Sequence, residues 1–95
     1  MLFMVISTPR PEPPSLMTPK REAYWDWLTP LQEKGLCKGV WARTGRGAIA
    51  LLDVPDNETL HRLLNEWAEI IPATFEVYPV IDPGPAKAYL KKHKK

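Results

Sequence analysis

Apolar spacing switches repeatedly between strand-like and helix-like along this chain. Leu2 to Ser7 is a run of aliphatic, aromatic and β-branched residues, the composition of a strand. It stops where the segment from Pro9 to Pro14 places four prolines in six positions and removes ladder donors. That stretch reads as a stiff, extended connector. Thr18-Pro19 then supplies an N-cap and first-turn pair for a helix whose one face carries Tyr24, Trp25, Leu28 and Leu31. Pro30 should interrupt that helix, and Gly35 should end it in the left-handed position.

Leu36 to Arg43 and Ala48 to Leu52 read as two strands joined by the turn Thr44-Gly45-Arg46-Gly47, a β-hairpin. Ala48 to Leu52 is continuously apolar, and after Asp53-Val54-Pro55 the pair Asp56 and Glu58 signals a helix start. The helix spans about Asn57 to Glu69, with Leu60, Leu63, Leu64, Trp67 and Ile71 as its buried stripe, and Pro72 closes it. Thr74 to Val80 is a fourth strand. Beyond Pro83-Gly84-Pro85 a short helix is expected through Ala86 to Leu90.

The order β-α-β-β-α-β, joined by short right-handed crossovers, predicts an α+β, ferredoxin-like βαββαβ fold: a four-stranded antiparallel sheet with both helices on one face. The other face has no cover within the chain. With alternate residues such as Val40, Ala42, Ile49 and Phe75 or Val77 placed there, it would be an apolar patch that a second subunit must hide. A dimeric α+β barrel, as a homodimer or larger homo-oligomer, is the expected assembly.

Composition sharpens this reading. With 95 residues and 44% apolar content, the chain supports one domain, 1–95, with a modest core. The formal charge is only +2, and the basic excess sits in Lys87, Lys91, Lys92, Lys94 and Lys95, a basic tail from about residue 84. The body is therefore near neutral, which argues against nucleic acid as a partner. The apolar run at Met1–Ile6 is too short for a membrane span and lacks the flanks of a signal peptide, so no membrane partner is expected. The lone Cys37 allows no intrachain disulfide and fits a reducing, cytoplasmic compartment; a buried thiol is expected there.

Read together, Met1-Leu2-Phe3, Trp41 before the hairpin, Asp53-Val54-Pro55, Leu60-His61 in the following helix and Glu76-Val77 in the last strand resemble the muconolactone delta-isomerase family over nearly the whole chain. The resemblance implies a cofactor-independent isomerase of aromatic catabolism, assembled as a large homo-oligomer, that shifts a proton on a small lactone or other carbonyl-bearing metabolite. Such chemistry needs a base, an acid and donors for an enolate. The chain departs from the family's pattern at Met4, where that pattern has a His, and at Trp41-Ala42-Arg43 with its shortened Gly-rich turn. Either the substrate differs, or Arg43 has a shifted role, or the reaction is lost; weak or no activity on muconolactone itself is expected.

His61 borders the second helix's stripe and is the only His outside the tail, so it is the candidate imidazole base. Glu76 lies in an otherwise apolar strand, on the polar side of the pleat or in a pocket with a raised pKa. Arg43 can hold a carboxylate with its bidentate fork. Tyr24, Trp25, Trp27, Trp41 and Trp67 are large aromatics, some of which should line an apolar cavity between helices and sheet, and Trp41, Tyr24 and Trp25 complete the candidate substrate-binding set. Glu22 and Asp26 lie one turn apart, as on a solvated face. No metal-ligand spacing, P-loop, Gly-rich dinucleotide turn or nucleophile elbow is visible, so an enzyme here is expected to use no cofactor. A non-catalytic oligomeric binding module and a cofactor-free oxygenase of the same fold are the alternatives.

Overall fold

The computed structural model describes residues 1–93. Its elements are β1 (Leu2–Pro9), a 3-10 turn (Pro14–Met17), α1 (Thr18–Glu33), β2 (Cys37–Ala42), β3 (Ala48–Asp53), α2 (Asn57–Ile70), β4 (Ala73–Val80) and α3 (Pro83–Lys92). The strands form one antiparallel sheet in the order β2-β3-β1-β4. This is the ferredoxin-like βαββαβ arrangement of an α+β fold, with α3 added after it. Lys94 and Lys95, at the end of the basic tail, lie outside the described residues. No helix among the described residues is long and apolar enough to cross a membrane.

Register decides which side chains meet the helices. Val5 stands opposite Ala50 on one side and Val77 on the other, and Phe3 stands opposite Leu52 and Pro79. Because side chains alternate across a strand, Phe3, Val5 and Ser7 share one face with Ala50 and Leu52. The buried stripes of α1 (Tyr24, Leu28, Leu31) and α2 (Leu60, Leu63, Trp67) cover that face and form the core with it. The two helices are tied together by the Trp27 indole, which donates to Glu66 at 2.9 Å. That bond, more than the Arg62 partner at 2.9 Å, holds the Glu66 carboxyl below its ordinary range.

The helix ends show why the local sequence folds this way. Asp56 Oδ1 accepts from the Thr59 backbone N–H at 2.8 Å, the bond of an N-cap, and α2 starts where the capping signal places it. At the end of α1, Leu36 N–H reaches Leu31 O at 2.9 Å and Gly35 N–H reaches Gln32 O at 3.1 Å, with Gly35 at φ 77°. That is a Schellman ending, and it requires the left-handed conformation that glycine adopts at no cost.

Four local expectations need correction. Thr18 is not the cap of α1: Met17 precedes the helix with helical backbone, because the 3-10 turn runs straight into it, and no side chain caps the end. Pro30 does not convert the last turn of α1, which stays α-helical to Glu33, and Gly35 ends the helix in the left-handed position as expected. Trp25 does not share the buried face with Tyr24, Leu28 and Leu31; it is 50% exposed, since consecutive helical residues point about 100° apart. Finally, Val40, Ala42, Phe75 and Val77 stand on the helix-covered face, opposite Ala50, Ala48, Ser7 and Val5. Of the residues expected on the open face, Ile49 is there, together with Leu2, Met4, Ile6 and Leu51 from β1 and β3, Gly39 and Trp41 from β2, and Glu76 and Tyr78 from β4. A register shift between Cys37 and Gly39 sets the parity of β2, and strand composition does not show it.

Every described residue of α3 is exposed, including Tyr89 and Leu90. Tyr89 stacks on His93 at 4.3 Å between ring centres. Cys37, by contrast, is buried, donates weakly to Gly39 O at 3.4 Å, and has its thiol pKa pushed up by that burial.

Candidate functional site

At the end of the covered face, where β1 finishes and the β2–β3 hairpin turns, the helices leave a cavity of about 300 Å³. Its walls come from Ser7 and Pro9 of β1, Met17, the first half of α1 (Arg21, Tyr24, Trp25), the hairpin from Val40 to Ala48, and Trp67 and Ile71 at the end of α2. Most of this wall is apolar or aromatic. The exceptions are chiefly cationic: Arg21, Arg43 and Arg46 contribute three guanidiniums, and no carboxylate or imidazole lines the space.

The hairpin is locked to β1 by specific bonds. The Ser7 hydroxyl accepts from Ala48 N–H at 2.9 Å and donates to Ala48 O at 3.3 Å. Arg43 Nη1 donates to Ser7 O at 2.8 Å and to Thr8 Oγ1 at 3.0 Å, which fixes the orientation of its planar fork. Gly47 sits where a Cβ would come within 2.4 Å of Ser7 O, and its φ is 99°, so only glycine permits this close approach. Arg46 reaches across to the Glu12 carbonyl. The Glu12 carboxylate itself turns to Arg10, at 2.7 Å, and to Lys20, at 4.0 Å, outside the cavity; the hydrogen bond from Arg10 draws its pKa down.

Tyr24 is fixed by an aromatic cluster, with ring centres 5.0 Å from Trp67, 5.9 Å from Trp27 and 5.5 Å from Trp25. Trp67 packs further onto Phe75 at 5.1 Å. The Tyr24 hydroxyl is buried without a hydrogen-bond partner, a state that costs roughly 1–3 kcal/mol if nothing answers it. Burial raises its pKa, so the phenol keeps its proton.

The structure thus gathers four of the six candidate residues, Arg43, Trp41, Tyr24 and Trp25, around one cavity. Trp41 borders it from the edge strand, with its ring over Gly39. The candidate proton carriers lie elsewhere. His61 is exposed on α2, with Nε2 3.2 Å from the Asn65 side-chain amide. Glu76 projects from the open face of the sheet and accepts from Tyr78 Oη at 2.6 Å, an interaction that raises the Tyr78 pKa. Neither lines the cavity. Sequence reasoning missed Arg21 and Arg46 as wall residues, while Trp67 was among the aromatics it considered for a cavity. Arg21 carried a usable signal, lying three and four positions before Tyr24 and Trp25, the spacing of neighbours on a helix surface. Among the described residues no three His, Cys, Asp or Glu side chains are grouped to hold a metal ion.

Comparison with known proteins locates the chain. In structure it is similar to 5-chloro-2-hydroxyhydroquinone dehydrochlorinase (TftG) from Burkholderia phenoliruptrix AC1100, solved in complex with 2,5-dihydroxybenzoquinone, with TM-score 0.66 and 19% sequence identity over 85% of this chain and 94% of that one. At that identity the likeness shows the shared fold. No curated protein sequence matches. The family model of a domain of unknown function, DUF3303, matches residues 1–94, and the chain belongs to that family.

Proposed function

We propose that this DUF3303 protein is a small-molecule-processing enzyme whose active site is the arginine-rimmed cavity, and that it moves a proton on a small anionic, carbonyl-bearing ring compound without a cofactor. One observation carries the reading: an apolar, aromatic-walled cavity of single-ring size holds three guanidiniums and no acidic side chain. Such a site favours a substrate with negative charge, and it favours still more a transition state in which charge grows on an oxygen. In an isomerase-like 1,3-shift the C–H bond α to the carbonyl breaks, and its electron pair becomes the enolate double bond. The growing oxygen charge is met by the guanidiniums of the cavity wall, and where the α carbon adjoins a C=C, return of the proton to the far carbon of that double bond moves the double bond and completes the step. The structural neighbour, named for dehydrochlorination of a hydroxyhydroquinone and solved with 2,5-dihydroxybenzoquinone, supports a small oxygenated ring as the substrate.

His61 and Glu76 stand outside the cavity of their own protomer, so we assign the work of the site to electrostatic stabilisation by the wall, with water at the mouth carrying the proton. The absence of a carboxylate or imidazole on that wall also favours a second reading, a binding module that holds such a compound without turning it over.

The test is proton exchange in D2O, followed by NMR, over a panel of enolisable cyclic keto acids and unsaturated lactone acids including muconolactone. The enzyme reading expects catalysed exchange in at least one compound, with kcat/KM falling about a hundredfold in Arg43→Gln and staying within about twofold in His61→Ala and Glu76→Gln. Losses at His61 or Glu76 equal to that at Arg43 would return the proton transfer to those residues. Binding without exchange would establish the module.

The same reading includes a second copy of the chain on the open sheet face. Leu2, Met4, Ile6, Ile49 and Leu51 form a continuous apolar surface there, edged by Trp41 and Tyr78, that no element among the described residues covers.

A further inference from the structure

We infer, resting on the cavity's role proposed above, that its occupant carries two negative charges: a single ring with two carboxylates, one met by the hairpin arginines and the other by Arg21 of α1. The proposed proton shift needs one anionic anchor, and the wall holds charge for a second. Residues 1–82 contain eleven Asp and Glu against eight Lys and Arg, so the body of the chain is acidic on average. Five of those eight cations nevertheless gather here: Arg21, Arg43 and Arg46 on the cavity wall, and Arg10 and Lys20 around Glu12 just outside it. Among the described residues, Glu12 is the only carboxylate within ion-pair distance of any of the five, and it is committed to Arg10 and Lys20. Arg46 acts on that carboxylate only through its field, the least of the causes that lower its pKa.

The bonds that hold the hairpin arginines orient them without cancelling their charge. Arg43 Nη1 donates to Ser7 O and Thr8 Oγ1, and Arg46 donates to the Glu12 carbonyl, all of them neutral acceptors. Gly47 makes room for the Arg43 stem, since a Cβ there would come within 3.3 Å of Arg43 Cδ. Arg43 and Arg46 are half-buried, and a cation drawn partly out of water is normally answered by a carboxylate. No protein carboxylate gives that answer on this wall, so the ligand supplies it. Arg21 lines the same cavity from α1 and likewise pairs with no carboxylate. Like charges around a space no wider than about one Debye length repel with little screening, and a single carboxylate leaves part of that repulsion unmatched. A second carboxylate, set across the ring from the first, meets the guanidinium on the helix side.

Calorimetric titration at neutral pH tests this with probes matched in shape. Terephthalate is compared with 4-carbamoylbenzoate, and isophthalate with 3-carbamoylbenzoate, so that a neutral amide replaces the second carboxylate. The wild-type protein should bind at least one dicarboxylate about tenfold more tightly than its monoamide at low salt, with the advantage shrinking as NaCl is raised. Arg21→Gln should remove that advantage by weakening the dicarboxylate, whereas Arg43→Gln should weaken both members of a pair. The wild-type comparison needs no variant, so a misfolded Arg21→Gln does not remove the test. If carboxylates bind but each dicarboxylate stays within about twofold of its monoamide, the second charge is overturned and the anion-binding cavity stands. An advantage that survives in Arg21→Gln overturns the assignment of the second carboxylate to Arg21. If no carboxylate in the series binds, the cavity's proposed role falls and the dianion with it.

Discussion

Leu51 and Leu52 are neighbours on one strand and live in different environments. Leu52 points into the helix-covered face and is 1% exposed, whereas Leu51 points to the open face, where no element among the described residues lies over it. The two faces of the sheet are comparably apolar, so hydrophobicity alone does not separate them. What separates them is that the covered face ends in a hole rimmed by cations, while the open face is continuous. An unfilled space with oriented donors is a place for a ligand, and a filled-in apolar surface is a place for another protein surface.

The sharpest way to break that comparison is to truncate both leucines. Leu52→Ala should cost roughly 2–5 kcal/mol of unfolding free energy, since it removes buried methyls and leaves a cavity. Leu51→Ala should cost less, on the order of 1 kcal/mol, when the protein is dilute, and progressively more as concentration rises, because a partner surface protects the residue by mass action. Urea denaturation at two protein concentrations measures both. Equal, concentration-independent losses would mean that the two faces do not differ in the way described.

A charge tests the open face directly. Ile49→Asp should leave the fold intact by circular dichroism and convert a homodimer to monomer in sedimentation or light scattering at micromolar concentration, because an unpaired carboxylate at an apolar interface is costly. A wild-type protein already monomeric under those conditions would remove the dimer from the proposal.

How much of this was legible beforehand follows the same division. The order of elements was readable because each signal was local: Asp56 as a cap, the stripe from Leu60 to Trp67, Gly35 at a helix end, glycines in the hairpin turn. Sheet parity was not, since assigning Val40 and Ala42 to a face depends on the register shift after Cys37 and on pairing with a strand from elsewhere in the chain. The aromatic and Arg43 parts of the cavity were visible as residue types, and they do line it. The full cation set was not, because Arg21 on α1 and Arg46 in the turn meet only after the sheet brings their elements together. His61 and Glu76 drew attention as ionisable groups in matching positions, but position along a sequence does not say which way a side chain points.

The smallest effect belongs to the start of α2, which supports the covered face from a distance. Asp56 accepts hydrogen bonds from both the backbone and the hydroxyl of Thr59, at 2.8 and 2.7 Å, and the hydroxyl bond does most to lower its pKa. A carboxyl whose folded pKa lies below its unfolded value adds stability that is fully present above the unfolded pKa and is lost as pH falls through the folded one. Asp56→Asn should therefore flatten the acid limb of the stability curve, leaving neutral-pH stability nearly unchanged because asparagine also caps well. Asp56→Ala should lower Tm at neutral pH by less than Leu52→Ala does, and the gap from wild type should narrow as the pH drops below the carboxylate range. Thermal melts between pH 7 and pH 3 measure this, and an Asp56→Ala deficit that stays constant across that range would show that the cap acts without its charge. Since the cap only anchors the N-terminal end of α2 while Trp67 and Ile71 border the cavity from the other end, neither substitution should change the proton-exchange rates proposed for the cavity. A changed rate would mean that the position of α2 is set from its start and that the cavity is softer than its aromatic packing indicates.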